Sequence, residues 1–119
     1  MKNLLSMLFV ISSTFSVFSQ TDITDYLEGR SFKNEQTGLV VKYGYISQLN
    51  TNGITFINSY GDKHYFMNCS TQKSSDNRYA VFTNCMNPES GSGVGKIFAY
   101  RNKIVIVASD GEMVYELMD

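Results

Sequence analysis

The chain has no tryptophan, one proline, one histidine and two cysteines among its 119 residues. A zinc site needs four clustered ligands and a dithiol redox site favours Cys-x-x-Cys, so the isolated cysteines Cys69 and Cys85 disfavour both. The single histidine, His64, stands near no nucleophile motif, and we interpret it as a surface residue. We therefore predict no catalytic residues, no metal and no cofactor, and we expect that the protein is not an enzyme.

Neither sign of charge predominates, since the chain has ten Lys and Arg residues and eleven Asp and Glu residues. Removal of Lys2 with the leader described next leaves a net charge of about −2. There is no basic run that would follow a phosphate backbone. The composition therefore gives no reason to expect a nucleic-acid partner.

Long hydrophobic runs are missing, and the longest apolar segment lies at the start of the chain. Lys2 is followed by an apolar stretch, 4–11, and then by the small residues Val17 and Ser19. The stretch is shorter than the roughly 18 residues of a membrane-spanning helix. This pattern predicts a secretory signal peptide over residues 1–19, cleaved after Ser19, and it looks bacterial. We expect an exported protein, periplasmic or secreted, without a membrane anchor.

Residues 20–119 then have the length of a single domain. An even cysteine pair in a small exported domain is most simply a disulfide, here between Cys69 and Cys85. The bridge would close a loop of about 16 residues.

Short turn signals such as Asn52-Gly53 and Asp110-Gly111 separate stretches rich in Val, Ile, Tyr, Phe and Thr. This spacing predicts an all-β domain, a small antiparallel meander that forms a barrel or a sandwich, after a helical turn at Asp22–Glu28. The eight predicted strands are Arg30–Glu35, Gly38–Ser47, Gly53–Ser59, Lys63–Ser70, Arg78–Cys85, Gly95–Tyr100, Lys103–Ser109 and Glu112–Met118. Tyr43 and Tyr45 are expected to project together into the core.

In the last predicted hairpin, a two-residue loop at Asp110-Gly111 places Ser109 opposite Glu112. The alternation then puts Ile104, Ile106 and Tyr115 on the core face.

In the middle hairpin, a disulfide requires Cα atoms within about 7 Å, so Cys69 must lie nearly opposite Cys85. A tight loop over 76–78 satisfies this, with Ser75 opposite Tyr79 and residues 71–75 continuing the strand. We favour the face shared by the cysteines, Tyr79 and Val81 as the inner one.

Two features suggest recognition. The glycine-rich segment departs from a phosphate-binding loop because Ile97 follows Lys96 where Ser or Thr is needed, so we interpret it as a flexible loop. Binding residues concentrate on such loops, and the candidate contact loop comprises Ser90, Gly91, Ser92, Gly93, Val94 and Gly95. The eight tyrosines favour contact surfaces, although tyrosine is also a common strand residue.

The segment Leu27-Glu28-Gly29-Arg30-Ser31-Phe32 resembles the start of lipocalin-like calycin barrels, where a Gly-x-Trp opens the first strand. The pair Ser92-Gly93 resembles part of the Ser-Gly-x-x-Tyr loop of periplasmic lysozyme inhibitors. Neither motif is complete, because Phe32 replaces Trp and Tyr100 follows too late, and no family is assigned.

The expected function is therefore an exported, non-enzymatic binding or inhibitor module for a protein partner. A lipocalin-like carrier of a small apolar ligand is the alternative, and it requires an internal cavity of at least about 300 Å³. A hydrolase that uses His64 is third.

Overall fold

The structure, a computed structural model, describes residues 21–118, and the predicted signal peptide lies outside them. The described residues form one short helix, α1, followed by nine strands. Their bounds are α1 Ile23–Leu27, β1 Ser31–Lys33, β2 Val40–Ile46, β3 Thr51–Ile57, β4 Lys63–Phe66, β5 Ser70–Lys73, β6 Tyr79–Thr83, β7 Lys96–Tyr100, β8 Lys103–Ala108 and β9 Gly111–Leu117. The all-β class and the helical turn before β1 are confirmed.

The strands belong to one antiparallel sheet in the order β4-β3-β2-β1-β9-β8-β7-β6-β5. Most spatial neighbours are consecutive in the chain, which confirms the meander, and β1 joins the two halves by pairing with β9. The sheet curls into a half-barrel, so the barrel-like alternative is closer to the structure than a two-sheet sandwich.

The predicted strand Lys63–Ser70 is divided into two, and this division curls the sheet. Its first part, β4, pairs with β3, whereas β5 pairs with β6 at the opposite end of the strand order. Between them, Asn68 adopts a left-handed conformation with φ 59°, which breaks the strand. Met67 and Met86 exchange two backbone hydrogen bonds of 2.8 and 2.9 Å beside this break. The two ends of the sheet therefore meet at this point.

The concave face of the half-barrel carries the core. Fully buried side chains project from strands all along the sheet: Phe32, Val41, Ile54, Phe82, Ile97 and Ile104. Helix α1 adds Ile23 and Leu27, which are four residues apart and therefore lie on one helix face. The Asp22 carboxylate caps this helix by accepting a hydrogen bond from the Thr24 backbone N–H.

The last hairpin keeps its predicted faces but not its predicted register. Ile104 pairs with Tyr115 and Ala108 with Gly111, so the two-residue loop is Ser109-Asp110. The register differs from the prediction by two residues, and a slip of two restores the same side-chain alternation. Ile104, Ile106 and Tyr115 are buried as predicted.

In the middle hairpin, the predicted register is wrong by one residue, and so is the preferred inner face. Ser74, not Ser75, lies opposite Tyr79, and Ala80 and Phe82 are buried in place of Tyr79 and Val81. Residues 71–73 are in a strand as predicted, but that strand, β5, is separate from β4 and does not continue it, and residues 74 and 75 lie outside it.

The predicted disulfide between Cys69 and Cys85 is present, with the two Cα atoms 4.1 Å apart. Asn84, with φ 59°, interrupts the alternation after β6. Cys85 is consequently buried on the side of Phe82, although it lies an odd number of residues away.

The start of the described chain contacts the end of β5 and the turns that follow β5 and β7. The Lys73 ammonium lies 2.8 Å from the Asp22 carboxylate. The Ile23 N–H donates to Asn77 Oδ1 at 2.7 Å, and Arg101 donates to the Thr21 carbonyl at 2.7 Å. We call these contacts the N-terminal clamp.

The clamp predicts a stability that depends on pH. The hydrogen bond from Lys73 holds the pKa of the Asp22 carboxyl far below its ordinary value of 3.8. A lowered folded-state pKa stabilises the fold above the unfolded value, and this stabilisation is lost as pH falls. We expect Asp22→Asn to lower the melting temperature at pH 6 and to have a smaller effect at pH 2. Asp25→Asn on the same helix is the control, and an Asp22→Asn effect that is equal at both pH values would contradict the role of the ion pair.

The disulfide predicts a second stability effect. Replacing both Cys69 and Cys85 by Ala removes a bridge across 16 residues, which the chain-entropy model values at about 3 kcal/mol. Urea unfolding measures the loss, and reduced wild type should match the double variant. Equal stability of the oxidised and reduced proteins would show that the bridge does not constrain the unfolded chain.

Candidate functional site

The candidate contact loop, residues 90–95, follows shortly after Cys85 of the disulfide. Hydrogen bonds between Asn87 and the residues after it hold the turn. The Asn87 side chain accepts from the backbone N–H groups of Glu89 and Ser90, both at 2.9 Å. Its backbone N–H donates to the Ser92 carbonyl at 2.8 Å. The residues from Ser90 to Gly93 are exposed. The segment expected to be flexible is therefore a compact turn whose tip faces solvent.

A second set of contacts joins this loop to the sheet. Asn87 Nδ2 donates to the Tyr65 carbonyl of β4 at 3.0 Å. Met86 forms the bridge to Met67 through its backbone while its side chain is 46% exposed. The loop thus presents an apolar side chain at its base and polar backbone at its tip.

The last two residues of the predicted loop have structural roles. Val94 is partly buried and packs against the core. Gly95 approaches β8 so closely that a Cβ there would clash with the Val107 carbonyl oxygen. The solvent-facing part of the loop is therefore shorter than predicted and ends at Gly93.

Val94 also lines a concavity at the end of the half-barrel, which we call the mouth pocket. It has a volume of about 210 Å³, and its walls include Phe56, Ile106, Met113 and Tyr115. β8 extends from Lys103 to Ala108, with the N-terminal clamp near its start and this pocket near its end. The clamp and the mouth pocket therefore lie at opposite ends of β8.

A larger groove of about 400 Å³ lies elsewhere on the sheet, and we call it the outer groove. Lys42, Lys63, Tyr45, Tyr65 and Glu28 contribute to its walls. Tyr45 is 59% exposed and its hydroxyl donates to Asn50, so its predicted place in the core is wrong. Tyr43 does pack inside, with its ring 5.0 Å from that of Phe82. The alternation changes phase within β2, because Val41 and Ile46 are both buried although they are five residues apart, and this leaves Tyr45 exposed.

His64 is exposed on β4, opposite Phe56. Among residues 21–118, no group of three or more His, Cys, Asp or Glu side chains is placed to hold a metal ion. No helix in this part of the chain is long and apolar enough to cross a membrane.

No family model, curated protein or solved structure matches the chain.

Sequence reasoning located the loop but missed Asn87, whose side chain organises it. The dipeptide Asn87-Pro88 is a turn signal, because an Asn side chain can hydrogen-bond the backbone two residues further on. No short sequence pattern could have indicated the mouth pocket, since Phe56 and Tyr115 lie on strands that are far apart in sequence.

The close approach at Gly95 predicts different effects for two neighbouring glycines. We expect Gly95→Ala to lower the free energy of unfolding by about 2 kcal/mol, because β7 or β8 must move to relieve the clash. A Cβ at Gly93 would lie 3.6 Å from the Cys85 carbonyl oxygen, an ordinary contact. Gly93→Ala is therefore the matched control and should change stability by less than about 0.5 kcal/mol. Urea unfolding of both variants checks this, and equal losses would contradict it.

Proposed function

We propose that the chain is an exported, non-enzymatic binding or inhibitor module that contacts a protein partner through residues 86–93. The observation that supports this proposal is an exposed loop whose conformation is already fixed in the free protein. Disulfide Cys69–Cys85 anchors its base, and the Asn87 hydrogen bonds hold its turn. A preorganised loop loses less conformational entropy on binding than a flexible one.

The exposed groups of the loop suit contact with a protein. The Met86 side chain supplies apolar area, and flexible thioether side chains adapt to a partner surface. The backbone N–H groups of Ser90, Gly91 and Ser92 are bonded within the loop, and exposed carbonyl groups of the tip supply acceptors for a partner. Interfaces commonly combine apolar contacts with a polar, solvent-accessible rim.

The carrier alternative receives less support from the shape of the molecule. The mouth pocket, which lies on the concave side, holds about 210 Å³, below the roughly 300 Å³ of typical ligand pockets. Behind it, core side chains such as Phe82 and Ile104 occupy the interior. A lipocalin-like function would need more interior space than these side chains leave around them.

Affinity capture from extracts of the producing organism, with the oxidised mature protein immobilised, tests the proposal. We expect a stoichiometric protein partner that Met86→Glu captures at least about tenfold less well, because a charge would be buried at the contact. Met118→Glu is the matched control, since Met118 is 43% exposed but lies beside Ser31, away from the loop.

Equal capture by the two variants would contradict the assignment of the contact to residues 86–93. A co-purifying small apolar molecule in the absence of any protein would replace the proposal by the carrier function.

A further inference from the structure

The mouth pocket has walls suited to a single apolar group. Phe56 and Tyr115 meet edge to face with their ring centroids 6.4 Å apart, and Ile106 completes the apolar wall. The Tyr115 hydroxyl donates to the Met113 sulfur at 3.1 Å. Burial raises the pKa of Tyr115 above its ordinary value of 10.0, and its hydroxyl is protonated at neutral pH.

The volume of the pocket limits what can enter. A cavity of about 150 Å³ is enough for a benzene ring in a protein interior. A pocket of about 210 Å³ that opens to solvent therefore accommodates one aromatic or branched aliphatic side chain. Met113 is 37% exposed at its wall and offers further apolar contact.

The surroundings of the pocket are acidic. Asp110 and Glu112 line it, and no Lys or Arg is among its lining residues. Glu112 and Met113 also line a second groove, of about 360 Å³, that adds Glu35, Glu116 and Lys33. Glu116 lies opposite Lys33 and Lys103 in the sheet, so the acidic excess around the two concavities comes from Glu35, Asp110 and Glu112. A partner with positive charge beside its apolar group complements this field.

The pocket lies next to the contact loop, because Val94, which lines the pocket, directly follows Gly93. A protein segment that touches the loop tip can therefore reach the pocket in the same complex. We propose that the mouth pocket binds one apolar side chain, aromatic by preference, from a partner segment in which Lys or Arg flanks that residue. This inference rests on the proposed function and names the chemistry of the partner.

Three peptides probe the pocket directly: acetyl-Gly-Lys-Phe-Lys-Gly-amide, its Glu-Phe-Glu counterpart and its Lys-Ala-Lys counterpart. Each is titrated into the ¹⁵N-labelled oxidised protein at low salt, and backbone amide shifts report the site. We expect the Lys-Phe-Lys peptide to shift Val94, Ile106 and Met113. The Lys-Ala-Lys peptide should bind at least about tenfold more weakly, because it lacks the ring that the pocket buries.

The charge arm of the test uses the Glu-Phe-Glu peptide, which should bind at least about fivefold more weakly at low salt. Added salt should narrow this difference, because the carboxylates around the pocket are exposed and screened. The double variant Asp110→Asn with Glu112→Gln should also reduce the difference in affinity between the Lys-Phe-Lys and Glu-Phe-Glu peptides. Glu28→Gln, which removes a carboxylate from the outer groove, is the control and should leave the difference unchanged.

Equal binding of all three peptides, or shifts confined to the outer groove, would overturn the inference. That result leaves the proposed function intact if Met86→Glu still reduces capture of a partner. Binding of the Lys-Phe-Lys peptide at the pocket supports the inference even if no partner is captured from extracts, so the two failures are distinguishable.

Discussion

The fold depends on one crossing of the chain, where residues 67–69 leave the edge of β3 and join the edge of β6. A meander of short antiparallel strands would otherwise leave two open edges that can pair with other chains. At this crossing the left-handed Asn68 turns the strand, and Met67 bonds to Met86 across the junction. The disulfide between Cys69 and Cys85 then fixes the junction covalently. Curvature of the sheet, and with it the concave core, follows from this constraint.

The same crossing places the contact loop. Since Cys85 and Met86 are held at the junction, the chain that follows must start from a fixed point on the rim of the half-barrel. Asn87 completes the turn, and the return to β7 requires Gly95 against Val107. Stability and the proposed recognition are therefore linked at the base of the loop, whereas its tip, from Ser90 to Gly93, is exposed and lies outside the core.

The sequence predicted side-chain faces better than strand registers, and the reason is the period of two in a strand. In the last hairpin a slip of two residues leaves Ile104, Ile106 and Tyr115 on the core face. In the middle hairpin the register differs from the predicted one by a single residue, and the left-handed Asn84 puts Cys85 on the side of Phe82. Phe82 is therefore on the inner face and Val81 on the outer one, the reverse of the prediction. Composition identified the glycine-rich loop, but it could not show that the Asn87 side chain forms the hydrogen bonds of its turn. The mouth pocket depends on curvature that brings Phe56 to Tyr115, and no local pattern encodes that contact.

The placement of charges differs between the two ends of β8. Near the start of β8, Asp22 and Lys73 form an ion pair within the N-terminal clamp, so their charges neutralise each other. At the other end, Asp110 and Glu112 lie beside an apolar pocket whose lining contains no basic side chain. An exposed carboxylate beside an apolar wall adds little to folding, because solvent and salt screen its interactions. Such carboxylates can instead favour a cationic segment during encounter, and the apolar wall can then retain it. The acidic mouth therefore agrees better with the proposed binding of a cationic segment than with a role in stability.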